Sequence, residues 1–133
     1  ELSQSGMNLL LSPCADVNTN PLNVIIGMRS FGTNPKNVGD HVAAAVKGAK
    51  SGGVLTTLKH FPGHGDTNID SHRDLPKVRR SKSDVWEIEL APFRDGIKAG
   101  VDVVMTSHIL FESLDPENPA TFSKIIFSFH LLR

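Results

Sequence analysis

The chain has 133 residues, and its 14 basic and 14 acidic side chains give a formal net charge of zero at pH 7. This length suits one compact domain, and the balanced charge gives no electrostatic basis for binding nucleic acid, which we do not expect as a partner. No stretch approaches the roughly 20 apolar residues of a membrane span. The single cysteine, Cys14, excludes an internal disulfide and a cysteine zinc cluster, and its apolar surroundings predict a buried, unreactive thiol.

The first half of the chain predicts a strand, a loop and a helix. The apolar run at 7–17 has the length of a buried strand, and the segment after it is rich in Asn, Pro and Gly, which is typical of a loop. Asn34 as N-cap, Pro35 at the first helical position and apolar residues at helical spacing predict a helix. Gly52 and Gly53 would end it.

The second half continues the alternation. A β-branched strand is expected at 54–61, and after a long loop a second helix is expected over 83–100, capped by Ser83 and kinked at Pro92. The apolar segment 101–109 follows as another strand. On the second helix, Trp86 and Phe93 lie seven positions apart, and we expect both to pack against the sheet.

Continuous apolar strands that alternate with amphipathic helices are typical of a parallel sheet, so the fold class is α/β. Polar residues occur at or just past the C-terminal ends of the predicted strands, and they are Asp16, Lys59, His60, Ser107 and His108. In a (β/α)8 barrel this end carries the catalytic face. A complete barrel needs about 250 residues, so residues 1–133 are expected to form the central part of such a barrel, incomplete at both ends.

The stretch "KHFPGHGDTNIDSH" at 59–72 holds three histidines and two aspartates. Three interpretations compete: a metal site, an acid/base site for a polar substrate, and a solvated surface loop. The metal interpretation is disfavoured because Gly and Pro prevent a helix that would present histidines on one face, so we expect no metal. The surface-loop interpretation is weakened because a loop longer than about a dozen residues is uncommon unless it is functional.

The acid/base interpretation has a specific geometry. Asp70 and His72 are separated by one residue, so the carboxylate could hold one imidazole nitrogen while the other gives a proton to a leaving group. Lys59 and His60 at the preceding strand end would then donate hydrogen bonds to a polyhydroxylated or amide-bearing substrate.

Four segments closely resemble the N-terminal barrel domain of glycoside hydrolase family 3, in its β-N-acetylglucosaminidase (β-N-acetylhexosaminidase) branch: "SPCADVNTNPLNVIIGMRSFGTNP", "KHFPGHGDTNIDSHRDLP", "ELAPFRDGIKAGVDVVMTSHI" and "NPATFSKII". The resemblance implies retaining exo-cleavage of β-linked N-acetylglucosamine from peptidoglycan- or chitin-type saccharides, without a cofactor. It implies that His72 is the general acid/base, paired with Asp70. It also implies that Arg29, Lys59 and His60 bind the sugar.

The same resemblance places the family's nucleophilic aspartate beyond Arg133, in a segment of the type "FDGVIFSDDL". The isolated 133-residue chain is therefore expected to be inactive, although the parent protein should hydrolyse its substrate. The alternatives are a family 3 β-glucosidase, a glycoside phosphorylase, a non-catalytic sugar-binding remnant and a metal-dependent hydrolase. The residues specify neither the cellular compartment nor the oligomeric state.

Overall fold

The fold is described from a computed structural model, which covers residues 1–68 and 74–128. The strands are β1 (Leu9–Leu10), β2 (Leu55–Phe61), β3 (Lys77–Val78), β4 (Val103–Thr106) and β5 (Leu110–Phe111). The α-helices are α1 (Pro35–Ser51), α2 (Lys82–Asp84), α3 (Ala91–Lys98) and α4 (Lys124–Phe127). Short 3-10 turns lie at Ser3–Ser5, Gly27–Arg29 and Ala120–Phe122, and none of the helices in these ranges is long and apolar enough to cross a membrane.

A parallel sheet in the order β1-β2-β4 organises the chain. Leu9 pairs with Leu55 and Thr57 pairs with Val103, so β2 is the middle strand. Helix α1 connects β1 to β2, and the helical segment 82–98 connects β2 to β4. The predicted alternation of parallel strands and helices is therefore confirmed.

The first strand is shorter than predicted, although its chain continues beside β2. Pro13 has no N–H to give to the ladder, and regular pairing stops at Leu10. Farther along, the amide of Ala15 donates to the carbonyl of Lys59 over 2.7 Å. This contact brings the polar end of the 7–17 segment next to the end of β2.

A second, two-stranded parallel sheet was not predicted. Lys77 pairs with Leu110 and Val78 pairs with Phe111. The first of these strands lies in the predicted long loop, and the second follows the predicted strand 101–109. Two-residue strands leave no periodic pattern in a sequence, so only the fold reveals them. The pairing fixes the chain that follows the histidine-rich stretch.

The cap predicted for α1 is confirmed. The side chain of Asn34 accepts a hydrogen bond from the amide of Asn37 over 3.1 Å, and the helix ends at Ser51 before Gly52. The valines at positions 38, 42 and 46 form its buried face, as their spacing predicts.

The second helix begins two residues earlier than predicted. Ser81 has extended backbone angles, and its hydroxyl accepts from the amide of Asp84 over 3.1 Å, whereas Ser83 lies inside α2. The prediction of Ser83 as the cap is therefore wrong. A kink at Pro92 was predicted within one helix. The structure instead has a π-helical turn at Val85–Glu89 that separates α2 from α3, and Pro92 lies in the first turn of α3.

The π-helical turn changes which aromatic side chain is buried. Phe93 is fully buried and meets Phe61 edge to face at 5.3 Å between ring centroids. Trp86 is 39% exposed, and the guanidinium carbon of Arg94 lies 4.6 Å from its ring centroid. The π-helical turn has more residues per turn than an α-helix, so two positions seven apart no longer share one face. The core prediction for Trp86 is therefore wrong.

Glu89, at the end of the π-helical turn, is a buried carboxyl with only 1% exposure. Burial raises its pKa to about 8. The nearby charge of Arg80 lowers the pKa but does not offset burial, and the charges of Asp66 and Asp16 raise it further. At neutral pH Glu89 is therefore mostly the protonated acid.

Replacing Glu89 should flatten the pH dependence of stability. The folded chain binds a proton at Glu89 between its ordinary value of 4.5 and about 8, so the free energy of unfolding falls as pH rises through that window. The slope is at most about 1.4 kcal/mol per pH unit. Glu89→Gln removes this slope. In denaturant unfolding of the protein that carries this chain, the free energy of unfolding of the variant should therefore rise relative to that of the wild type between pH 5 and pH 8.

Glu87→Gln is the matched control, because Glu87 is exposed on the same turn. Its unfolding curves should follow the wild type at both pH values. Parallel pH dependences for Glu89→Gln and wild type would show that Glu89 is ionised in the folded protein.

Candidate active site

The polar residues predicted at strand ends meet at one edge of the sheet. Asp16 lies beyond β1, and Lys59 and His60 are among the last three residues of β2. Ser107, just past β4, donates its hydroxyl to the carbonyl of Phe61 over 3.0 Å. In parallel α/β folds this edge is where ligands bind.

Asp16 is the centre of this edge and is fully buried. Its carboxylate accepts hydrogen bonds from the amide of His64 at 2.7 Å and from the amide of His60 at 3.1 Å. Nδ1 of His60 lies 2.8 Å from Oδ2, and the thiol of Cys14 donates to the same oxygen over 3.0 Å. One carboxylate therefore gathers four donors from two neighbouring strand ends.

These donors keep Asp16 ionised. Burial alone would raise its pKa, but the hydrogen bonds that His60 and the thiol of Cys14 donate to the carboxylate outweigh burial and lower the pKa below 3.8. A buried anion of this kind is stable only with its full set of donors, so its neighbours are held in fixed positions.

Cys14 is buried and forms no disulfide, as the sequence predicts. Burial raises the pKa of its thiol, and the neighbouring Asp16 raises it further. The ligand atoms of Cys14, Asp16 and His60 lie within 4.8 Å of one another, a spacing that a metal ion could use. A metal would have to displace the thiol proton and the Nδ1 proton, so this geometry favours hydrogen bonding among the three side chains.

The ring of His60 is oriented at both nitrogens. Its Nδ1 faces the Asp16 carboxylate, which can only accept, and its Nε2 lies 3.3 Å from Nη2 of Arg29, which can only donate. The contacts therefore specify a neutral ring with the proton on Nδ1. The structure brings together Arg29 and His60, two of the residues predicted to bind substrate.

Lys59 precedes His60 and is half-buried. The peptide bond between them is cis, and the register of β2 against β4 shifts between Lys59 and Phe61. Within residues 1–68 and 74–128, the ammonium group of Lys59 has no hydrogen-bond partner. A half-buried ammonium group at a ligand-binding edge is available to donate to an incoming polar molecule.

His64 supports the loop that follows β2. Its carbonyl accepts from Nδ2 of Asn23 over 2.7 Å and from the hydroxyl of Thr67 over 3.0 Å. Its Nδ1 lies 2.8 Å from the same hydroxyl. Burial lowers the pKa of the imidazole, which favours the neutral ring.

The predicted acid/base pair, Asp70 and His72, lies outside the described residues, so its assignment stays a prediction. His108, another strand-end candidate, is exposed and holds its Nδ1 2.9 Å from Oγ1 of Thr121. Sequence reasoning gave Asp16 no direct role. The only available signal was an acidic residue that ends an apolar strand, and its partners 44 and 48 residues away become visible only in the fold.

Comparison with known families identifies the chain. Residues 1–133 match the model of the glycosyl hydrolase family 3 N terminal domain, so the chain belongs to this family. A curated relative, β-hexosaminidase A of Pseudoalteromonas piscicida, is 45% identical over 116 residues, which are 86% of this chain and 19% of that protein.

Solved structures show the same relationship. A family 3 β-N-acetylglucosaminidase from Paenibacillus sp. str. FPU-7 has a TM-score of 0.92 and 45% identity, over 94% of this chain and 24% of its own. NagZ from Neisseria gonorrhoeae, in complex with N-trifluoroacetyl-D-glucosamine, has a TM-score of 0.90 and 38% identity, over 99% of this chain and 38% of its own. The fold is thus part of a (β/α)8 barrel, as predicted, and the chain spans less than two fifths of each of these relatives.

Asp16→Asn should destabilise the protein that carries this chain by about 3 kcal/mol at pH 7, because it removes the charge and sets an amide donor against existing donors. Since the pKa of Asp16 is lowered, its stabilising effect is present above 3.8 and is lost as pH falls through the folded value. The stability gap between wild type and variant should therefore close only in acid. Denaturant unfolding at several pH values measures this.

Asp40→Asn is the control, because Asp40 is exposed and pairs with Lys36 on the surface of α1. Its effect should stay below about 0.5 kcal/mol. An Asp16→Asn variant as stable as Asp40→Asn would contradict the role assigned to the buried carboxylate.

Proposed function

We propose that the protein carrying this chain is a retaining exo-β-N-acetylglucosaminidase that acts on peptidoglycan- or chitin-type saccharides. The observation that carries the proposal is the oriented His60, held between Asp16 and Arg29 beside the available ammonium group of Lys59. Family membership and the names of the similar enzymes support the same reaction class. The gonococcal relative is in complex with an N-acylated glucosamine, which supports a saccharide substrate.

Arg29, Lys59 and His60 are proposed to hold the terminal sugar. Arg29 and Lys59 can only donate hydrogen bonds, which suits the hydroxyl and carbonyl oxygens of an N-acetylated sugar. The neutral His60 can accept from a sugar hydroxyl at Nε2 when the guanidinium of Arg29 turns to the substrate. Fixing the ring in this way can lower the barrier by several kcal/mol, because the anomeric carbon is positioned for attack.

His72 and Asp70 are proposed to move the proton. In a retaining mechanism a carboxylate attacks the anomeric carbon while the acid gives its proton to the departing glycosidic oxygen. His72 would donate that proton, and Asp70 would hold the other ring nitrogen. The same imidazole would then take a proton from water as the water attacks the anomeric carbon and releases the sugar. The attacking carboxylate is proposed to come from the family's aspartate beyond residue 133.

Comparing substrates tests the proposed reaction class. The protein that carries this chain should hydrolyse 4-nitrophenyl N-acetyl-β-glucosaminide with a kcat/KM at least about a hundredfold above that for the matching β-glucoside, since specific polar contacts to the acetamido group are lost in the glucoside. Added phosphate should not change the products. Preference for the glucoside would favour a β-glucosidase, a sugar phosphate product would favour a phosphorylase, and sugar binding without turnover would favour a binding remnant.

Varying the leaving group tests His72. Removing a general acid costs about 100- to 10,000-fold when the leaving group needs a proton, and much less when it leaves readily as an anion. His72→Ala should therefore lose far more activity on an alkyl N-acetylglucosaminide than on the dinitrophenyl one. His41→Ala is the control, because His41 is exposed on α1 and stacks on Phe31 at 5.3 Å. An equal loss on both substrates would remove His72 from the acid role.

A further inference from the structure

The loop that follows β2, residues 62–68, packs closely against two other parts of the chain. A Cβ added to Gly65 would lie within 1.8 Å of the carbonyl oxygen of Val17, and one added to Gly63 would lie 2.5 Å from Oε2 of Glu89. Any side chain at either position would push the loop away from its support. The loop is therefore held between the segment after β1 and the buried end of the π-helical turn.

Arg80, which follows the histidine-rich stretch in the sequence, also holds this loop. Its Nη2 donates to Oδ1 of Asp66 over 2.8 Å and to the hydroxyl of Thr19 over 2.7 Å. The hydroxyl of Thr19 in turn donates to the same carboxylate oxygen over 3.0 Å. Three side chains from three separate segments thus form a closed ring of hydrogen bonds.

The other edge of the same guanidinium faces Glu89. Nε of Arg80 lies 3.1 Å from Oε1 of Glu89 without hydrogen-bond alignment, and both atoms are shielded from solvent. Arg80 is 20% exposed at its side chain and Asp66 is 28% exposed. A planar guanidinium can serve both edges at once, whereas a lysine ammonium offers a single point of contact.

The supported loop leads directly to the proposed sugar-binding side chains. Its His64 amide donates to Asp16, and Asp16 holds Nδ1 of His60. Asn20 also binds the loop, with its amide to the carbonyl of Gly65 at 3.3 Å. A shift of the loop would withdraw the shortest of the amide hydrogen bonds to Asp16, and the orientation of His60 depends on that carboxylate.

We propose that Arg80 is a positioning residue for substrate binding: by joining Asp66 and Thr19 beside Glu89, it holds loop 62–68 so that Asp16 keeps His60 in its binding orientation. Among the described residues, the hydrogen bonds and ion pairs of Arg80 go to Thr19, Asp66 and Glu89, and none goes to Lys59 or His60. The inference rests on the proposed sugar-binding role of His60, while the effect on the loop is independent of it.

The test uses the complete protein that carries this chain, with two readouts. Hydrogen exchange of the His64 and Thr67 amides reports on the loop, because these amides bind Asp16 and the His64 carbonyl. Calorimetric binding of N-acetylglucosamine reports on the site. Arg80→Gln should speed exchange at these amides at least about tenfold and weaken binding about tenfold, the loss expected for one charge-assisted hydrogen bond. Arg80→Lys should restore part of both.

Arg79→Gln is the matched control, because Arg79 is the preceding basic residue, is 77% exposed and pairs with Glu112. It should change neither readout. Amides of Val42 and Val46 on α1 should exchange as in the wild type in every variant, which separates a positioning role from general destabilisation. If Arg80→Gln does not fold, Thr19→Val removes one member of the ring with little change in volume and should show the same local pattern.

Two results would show that Arg80 does not hold the loop: exchange at His64 and Thr67 within twofold of wild type in Arg80→Gln or Thr19→Val, or faster exchange spread evenly over the protein. Wild-type protein that does not bind N-acetylglucosamine would refute the proposed function instead, and the exchange data would still decide whether Arg80 holds the loop. Faster loop exchange with unchanged sugar affinity would refute the link from the loop to His60.

Discussion

The buried carboxylate of Asp16 is the constraint on which the site depends. Removing a charge from water is costly unless donors replace the lost hydration, and here the donors are the amides of His60 and His64, the imidazole and a thiol. These groups belong to the ends of two neighbouring parallel strands and the loop beyond them. The carboxylate can therefore remain ionised only when β1 and β2 are correctly paired, which links the pairing of the sheet to the geometry of the site.

Some residues around the site hold its geometry, and others are proposed to contact the substrate. The helices and the buried rings of Phe61 and Phe93 cover the sheet, while the strand ends present polar groups. Asp16 and the loop behind it are proposed to act through His60, because the contact of Asp16 with Nδ1 leaves Nε2 to face Arg29. A neutral, correctly oriented histidine beside two cationic donors is suited to neutral, oxygen-rich ligands such as sugars, whose hydroxyl groups both donate and accept.

Local signals in the sequence predicted the elements well, and contacts between distant segments could not be predicted. The cap at Asn34 and the strand-helix alternation follow from spacing within a few residues. Trp86 was misplaced because a π-helical turn changes the helical register without a sequence pattern that marks it. The shared role of Asp16 and the contact between Asp66 and Arg80 join residues far apart in sequence. The family resemblance supplied residue roles that spacing alone left open.

The tautomer of His60 is the most direct test of the account. In the complete protein with 15N-labelled histidine, two-bond 15N–1H correlation spectra at pH 8 distinguish protonated from unprotonated ring nitrogens, and His60→Gln assigns the signal. We predict a neutral ring with the proton on Nδ1, facing Asp16, and an unprotonated Nε2 that responds to added N-acetylglucosamine. A proton on Nε2 in the free protein would contradict the arrangement of Asp16, His60 and Arg29.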